Sequence, residues 1–302
     1  MIRRGLLTAL LVSMGCATGL AQELSPRAFW PSPAGTGIVT MGYSYTTGDT
    51  LTDPSLPVTG VDSDLNTGFV SYLRSFDLAG RTSNFIVEVP YIWGHSEGEL
   101  FNRQPARRNL DGLGDIALTM SVNLLGAPAM NREEFEIMRA DPPPVLGVSL
   151  RLVTPTGDYD KDKFVNTGAN RWAAKGEVGF IYPLRPKWLA EVEVGAWVFG
   201  DNDDFPTGKR EQDPIYSLET HLIHRFRPGF WGSLDMNYYT GGRSRIDGEK
   251  LDDLQRTSKF GLSLVFPFSP GKAVKFSYSS GSASGQGNDF DSVLVSFNQR
   301  LP

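Results

Sequence analysis

Cysteine is almost missing from this 302-residue chain: Cys16 is its one thiol, and it falls in a stretch that reads as removable. Arg3 and Arg4 form a basic head, and Leu6–Val12 with Met14 form an apolar core too short to span a bilayer. Gly19-Leu20-Ala21, ahead of Gln22, is a small-x-small cleavage site. A lipidation box wants a larger apolar residue than Ser13 three positions before Cys16, so Cys16 is expected to leave with a signal peptide over 1–21. The mature chain then has no disulfide and no thiolate metal site, although export would permit disulfides. Basic charge is not in excess either. The 29 Lys and Arg are outnumbered by 34 Asp and Glu, and the net charge of −5 becomes −7 once Arg3 and Arg4 are removed. Such an acidic balance argues against nucleic acid as a partner. No apolar run of roughly 18 residues follows the signal peptide, which excludes a transmembrane helix. Histidine is scarce, with His95, His221 and His224 the full set of 3.

Aromatics are plentiful: 18 Phe, 6 Trp and 10 Tyr, all beyond residue 21. Their placement is clearest in Ile215–Tyr239, which reads as two strands joined at Arg227-Pro228-Gly229. Tyr216, Leu218, Thr220, Leu222, His224 and Phe226 share one face of the first strand, and Phe230, Leu234, Met236 and Tyr238 one face of the second. Period-2 alternation of this kind makes a ribbon with one apolar and one polar face. Phe226 and Phe230 flank the turn, and Tyr216 and Tyr238 close the far end. Strands of about 10 residues with aromatic girdles are what a barrel needs to cross hydrocarbon. Modest overall hydrophobicity fits as well, since only every second residue must face lipid.

The same rhythm predicts strands over Gly37–Thr46, Thr67–Phe76, Asn84–Trp93, Asp115–Leu125, Val145–Thr154, Trp172–Tyr182 and Trp188–Phe199, then the hairpin just described. Ser258–Phe268, Ala273–Ser280 and Asp291–Leu301 bring the total to about 12. Links after alternate strands are short, at 77–83, 183–187, 227–229 and 269–272, while the intervening ones are longer and polar. Long outer loops alternating with short periplasmic turns is the pattern of an up-and-down antiparallel transmembrane β-barrel with both termini periplasmic. One link breaks the alternation. Residues 126–144 are long where a short turn is due. Asn131 followed by Glu134 looks like a helix start there, Met130–Ala140 has helix-forming composition, and Pro142-Pro143-Pro144 would stop it. The expected organisation is a signal peptide over 1–21, an irregular periplasmic lead-in over 22–36 containing Pro26, Pro31 and Pro33, and one all-β barrel domain over 37–302 with a short helix in one periplasmic connection.

Glu88, Arg151, Lys175, Glu177, Glu191, Glu193, Glu219, His221, Arg225 and Asp235 all fall on the polar faces, and are the candidate lumen-lining residues. An Arg or Lys facing lipid near mid-membrane costs about 2–4 kcal/mol, so these must point inward. They suit a hydrated lumen, or more sharply a selectivity constriction that orients a solute. Catalysis by Glu191 and Glu193 is not implied, because residues two apart line any wet strand face. His221 and His224 fall on opposite faces and cannot share a metal. His95-Ser96, just after a predicted strand, would interest an outer-membrane lipid hydrolase, but adjacent residues point apart. Asp201-Asn202-Asp203-Asp204 looks calcium-like, yet Phe205 stands where a ligand is due and no Gly follows. Gly112-Leu113-Gly114-Asp115 precedes a strand rather than a helix, so it is no nucleotide loop. No catalytic residue, metal ligand or cofactor is assigned.

Several of these stretches carry a family resemblance. Gly112-Leu113-Gly114-Asp115, Pro155-Thr156-Gly157-Asp158-Tyr159, Asn166-Thr167-Gly168-Ala169-Asn170-Arg171-Trp172 and Gly200-Asp201-Asn202-Asp203-Asp204 resemble landmarks of the outer-membrane proteins described as transporters of the meta pathway of phenol degradation (the MetA-pathway family). The likeness runs over nearly all of 27–301 and marks turns and strand ends. It implies uptake of small aromatic compounds and supplies no functional residues. The resulting expectation is a monomeric outer-membrane channel of a Gram-negative bacterium, exported through the periplasm, passing small, phenol-like molecules passively. Its partners would be outer-membrane lipid and lipopolysaccharide, the barrel-assembly machinery and the solute. A closed-lumen structural or surface-interaction barrel and an outer-membrane lipid-acting hydrolase are the alternatives.

Overall fold

The computed structural model describes residues 25–49, 59–99, 105–281 and 290–301; the expected signal peptide lies outside them. In chain order the elements are β1 (Gly37–Gly48), β2 (Thr59–Leu78), β3 (Arg81–Glu99), β4 (Pro105–Leu113), β5 (Ala117–Leu125), α1 (Arg132–Ala140), β6 (Val145–Val153), β7 (Ala173–Arg185) and β8 (Trp188–Phe199). They continue as β9 (Arg210–Gln212), β10 (Ile215–Arg227), β11 (Phe230–Gly241), β12 (Ser244–Ile246), β13 (Glu249–Lys250), β14 (Gln255–Ser269), β15 (Lys272–Gly281) and β16 (Phe290–Arg300). Neighbouring wall strands pair antiparallel, β1 joins β16, and β2 joins β3, so the sheet closes on itself. Closure leaves no exposed edge, which is what hydrocarbon requires of a sheet.

The wall has 12 strand positions because β4 and β5 share one. The inner half of β3 (Ser83–Glu88) pairs with β5, and its outer half (Tyr91–Glu99) with β4. Two residues separate Glu88 from Tyr91, whereas three separate Leu113 from Ala117, so Gly114-Asp115-Ile116 inserts one extra residue. A bulge of this kind flips the parity of the strand: Leu110 and Gly112 are buried above it, and Ala117 and Ser121 below it.

Burial is inside-out relative to a water-soluble protein. Leu234 is 64% exposed and Leu150 56%, while Glu191 and Glu193 are 1% exposed. Apolar side chains face lipid and polar ones face the interior, as the alternation predicts. Two aromatic girdles mark the rims. Near the periplasmic end, the Phe226 and Phe230 rings lie tilted 4.5 Å apart, Phe230 meets Phe266 edge-on at 5.5 Å, and His224 sits between Trp188 (4.5 Å) and Phe226 (4.6 Å). At the outer end, Tyr91 donates to Asp111 at 2.7 Å and Tyr278 to Asp291 at 2.6 Å, which keeps the ring in the apolar band and the hydroxyl in a polar layer. Tight periplasmic turns use Pro228-Gly229 and Pro270-Gly271, whose glycines have φ of 76° and 73°, as a type II turn demands.

The expected helix is present as α1, one residue after its capping residue. Asn131 accepts from Glu133 N (2.8 Å) and Glu134 N (3.0 Å), and Glu134 accepts from Asn131 N at 2.8 Å. This is the capping box read from the sequence. With 9 residues it is far short of a membrane span.

Three expectations need correction. β2 and β3 run to 20 and 19 residues, well past the predicted segments. The connection after β3, expected as an outer loop, contains β4. His95-Ser96 therefore lies within β3 rather than in a loop: His95 faces Asp64 at 3.5 Å, and Ser96 is buried against Ser63 at 2.8 Å. Mostly polar on both faces, with Leu65 and Leu110 as buried exceptions, these outer extensions stand beyond the hydrocarbon and lack the alternation that betrays a membrane strand.

Candidate functional site

The lead-in is irregular, but it does not hang below the barrel. Residues 25–36 enter its periplasmic end. Gly147 and Gly179 are paired neighbours on β6 and β7, and together they leave a dent in the inner wall. Phe29 fills it, and a Cβ on either glycine would overlap the ring. Phe29, Ala127, Val145, Ile181, Leu189 and Ile223 form a buried apolar cluster with Trp30 and Trp231 against it. Polar contacts fix the segment: Asn123 Nδ2 donates to Phe29 O at 3.1 Å, and Arg27 N donates to Glu191 Oε2 at 2.6 Å. The Arg27 guanidinium lies 4.6 Å from the Trp30 ring and 4.9 Å from Trp231.

Above this plug the charged residues of neighbouring strands meet. Glu88 accepts from Arg151 Nη2 at 2.8 Å. Lys175 pairs with Glu177 and, at 2.8 Å, with Glu219. Glu219 also accepts from Asn237 Nδ2 at 2.9 Å and from the Tyr239 hydroxyl at 3.4 Å. His221 Nδ1 lies 2.8 Å from Asp235 Oδ1, and Glu191 is its cross-strand neighbour on β8. Nine of the ten candidate residues thus fall into two connected groups: Glu88 with Arg151, and Lys175, Glu177, Glu191, Glu193, Glu219, His221 and Asp235. Arg225 stands apart. Its guanidinium donates to Arg139 O and Pro186 O, each at 2.6 Å, at the periplasmic rim. A cation at the carboxyl end of α1 complements the helix dipole.

A cavity of about 200 Å³ lies against the plug, lined by its Ser25, Ala28 and Phe29. Phe29 borders it on one side and Trp197 on another, with Arg151, Lys175, Glu177, Glu193 and Glu219 around it. Trp197 belongs to a second buried cluster with Ile215 and Tyr239, backed by Val153, Ala173 and Phe199. Arg171 covers Phe199 at 4.6 Å and donates to Gln212 at 2.6 Å.

At the outer end, stretches far apart in sequence interlock. Asp115 accepts from Gly157 N and Ala169 N, both at 2.8 Å. Asp158 Oδ2 accepts from Leu113 N at 2.9 Å, and Thr167 Oγ1 donates to Leu113 O at 2.8 Å. Gly157 and Gly168 touch backbone to backbone, where a Cβ on Gly157 would lie 2.7 Å from Gly168 Cα. Asn202 joins through Tyr159 (2.9 Å), Ala169 O (3.2 Å) and Asn170 (3.1 Å). Burial pushes the Tyr159 hydroxyl above its ordinary range. The clasp turns Val165 inward onto Leu65 and Leu110, with Phe164 against them and edge-on to Phe205 at 5.7 Å. Lys209 lies between Asp201 (2.5 Å) and Asp203 (3.7 Å), and the Asp201 hydrogen bond raises its pKa, so two acids of the quartet face a lysine. The sequence landmarks are therefore the parts of one structural clasp.

The plug and the clasp escaped sequence reading. The plug is proline-broken and has no period, and its only trace is a pair of inward glycines. The clasp depends on contacts between stretches more than 40 residues apart, such as Asp115 with Gly157.

Residues 42–297 match the family model described as "Putative MetA-pathway of phenol degradation". No curated protein is detectably similar in sequence. Among solved structures, an outer membrane channel from Pseudomonas putida F1 superposes with a TM-score of 0.73 at 22% identity, covering 92% of this chain and 100% of that one. The transport unit of the autotransporter AIDA-I from Escherichia coli gives 0.53 at 9% identity, covering 94% and 95%. These likenesses establish the fold as that of outer-membrane barrels.

Proposed function

We propose, from the premise that this chain belongs to the MetA-pathway family of phenol degradation, that it is an outer-membrane channel for passive uptake of small, phenol-like molecules. The observation that carries this reading is the interior cavity of about 200 Å³. A dry apolar cavity of roughly 150 Å³ holds a benzene ring, so the volume suits one phenol. Its lining suits both halves of such a molecule: Phe29 and Trp197 offer ring contacts, and Arg151, Lys175 and Glu219 offer hydrogen bonds to a hydroxyl. Outer-membrane lipid and lipopolysaccharide would surround the barrel, the assembly machinery would insert it, and the clasp and outer loops would gate entry.

The test is single-channel conductance of the purified protein in a planar bilayer, with and without simple phenols. Discrete steps blocked by a phenol support the reading. A closed-lumen structural barrel is the second reading, favoured by the plug at one end and the clasp at the other. A folded, silent barrel would put that reading first.

A further inference from the structure

We infer that Glu193, Glu219 and His221 form a site for one divalent transition-metal cation of the zinc class inside the barrel. Glu193 and Glu219 stand opposite each other across the β8–β10 ladder, and His221 follows Glu219 by two residues on the same face. One ligand atom from each lies within 4.8 Å of the others. All three residues are at most 2% exposed. Like charges directly opposite on neighbouring strands repel, and burial removes the water that would screen them.

Existing partners answer part of this. Lys175 holds Glu219 Oε1 at 2.8 Å but also pairs with Glu177, and Asn237 holds Glu219 Oε2 at 2.9 Å. Glu193 Oε1 and His221 Nε2 are buried with no hydrogen-bond partner among the described residues. The imidazole is oriented for ligation. Its Nδ1 lies 2.8 Å from Asp235 Oδ1, while Asp235 Oδ2 accepts from Ser233 (3.1 Å) and Ser263 (3.3 Å). A carboxylate that accepts a hydrogen bond from Nδ1–H favours the tautomer in which Nε2 carries the free lone pair, the usual arrangement behind a metal-bound histidine. One imidazole with two carboxylates matches the nitrogen and oxygen donors of zinc. Three protein ligands leave a position for water, and the cavity bordered by Glu193 and Glu219 gives an entry path.

The test uses the full chain in detergent, stripped with a chelator and titrated with Zn²⁺, followed by zinc-edge X-ray absorption on the loaded wild type. One equivalent should bind, with one imidazole nitrogen and carboxylate oxygens in the ligand shell. Glu193→Gln and His221→Ala should abolish high-affinity binding. Asp235→Asn should weaken it by about 10–100-fold, as loss of a ligand's orienting partner does, and the outward-facing Asp111→Asn should change nothing. No retained zinc would overturn the inference and leave a shared proton between the carboxylates. So would an all-oxygen shell, or equal affinity in Glu193→Gln and His221→Ala. The wild-type spectrum decides even if a variant misfolds, and neither readout depends on conductance.

Discussion

The two halves of the barrel are alike outside and different inside. β3, β6, β7, β8, β10 and β11 alternate lipid-facing apolar residues with inward Glu88, Arg151, Lys175, Glu177, Glu191, Glu193, Glu219, His221 and Asp235. β14, β15, β16, β1 and β2 keep the same outward pattern but turn mostly hydroxyls inward, Ser263, Ser279, Ser292, Ser296, Ser44, Thr46, Ser63 and Thr67, with Lys259 a buried charge among them. A hydroxyl both donates and accepts, so it is satisfied by almost any neighbour, including water. A buried charge needs a particular partner at a particular place. The charged wall is therefore the ordered one: it holds the plug through Glu191 and borders the cavity. The hydroxyl wall supplies closure and a polar surface, with little chemical preference of its own.

Breaking the charged wall should cost more than altering the hydroxyl wall. The largest effect is expected from Phe29→Ala, which empties the dent at Gly147 and Gly179. Truncating a buried aromatic costs about 3–5 kcal/mol, so residues 25–36 should undock, read as protease sensitivity and a larger conductance. Arg151→Ala comes next. It leaves Glu88 without its cation; removing one member of a buried pair costs about 3–5 kcal/mol, and water reaching the pair should hold the loss to about 3 or less, measured by urea unfolding in detergent. Gly157→Ala should loosen the clasp by about 1–3 kcal/mol, since the added methyl meets the Gly168 backbone. Faster hydrogen exchange at Leu113 and Ala169, with the barrel amides unchanged, would check it. The smallest change belongs to the hydroxyl wall: Ser277→Ala loses a 2.9 Å bond with Ser263 and should cost about 1 kcal/mol. A loss above that range would show that this wall too is built on fixed partners.

Where hydrocarbon, or a local turn rule, acts on the chain, the sequence announces the structure. Leu218, Leu222 and Leu234 must face lipid, so their period gave the strands. Asn131 with Glu134 gave the helix start, and Pro228-Gly229 the turn. Outside the membrane that constraint lapses. Arg107, Arg108, Asn109 and Asp111 of β4 are polar on both faces, and no period separates them from a loop. The charged residues were legible as an inward set because lipid excludes them. Their grouping was not, because it depends on which strands become neighbours: Glu193 meets Glu219 through a pairing that joins positions 26 residues apart. Arg225 shares their alternation and still serves the rim, because the barrel's inner face ends where α1 and the turn at Pro186 begin.

The reversal potential in a salt gradient with a chelator present, compared between wild type, Glu191→Gln and Glu193→Gln, tests the central claim most directly. If ions pass along the charged wall, the wild-type channel favours cations, and each substitution shifts the reversal potential toward zero while Ser277→Ala leaves it in place. Identical reversal potentials in wild type and both glutamine variants would contradict the account, and would mean that whatever crosses this barrel does not pass these carboxylates.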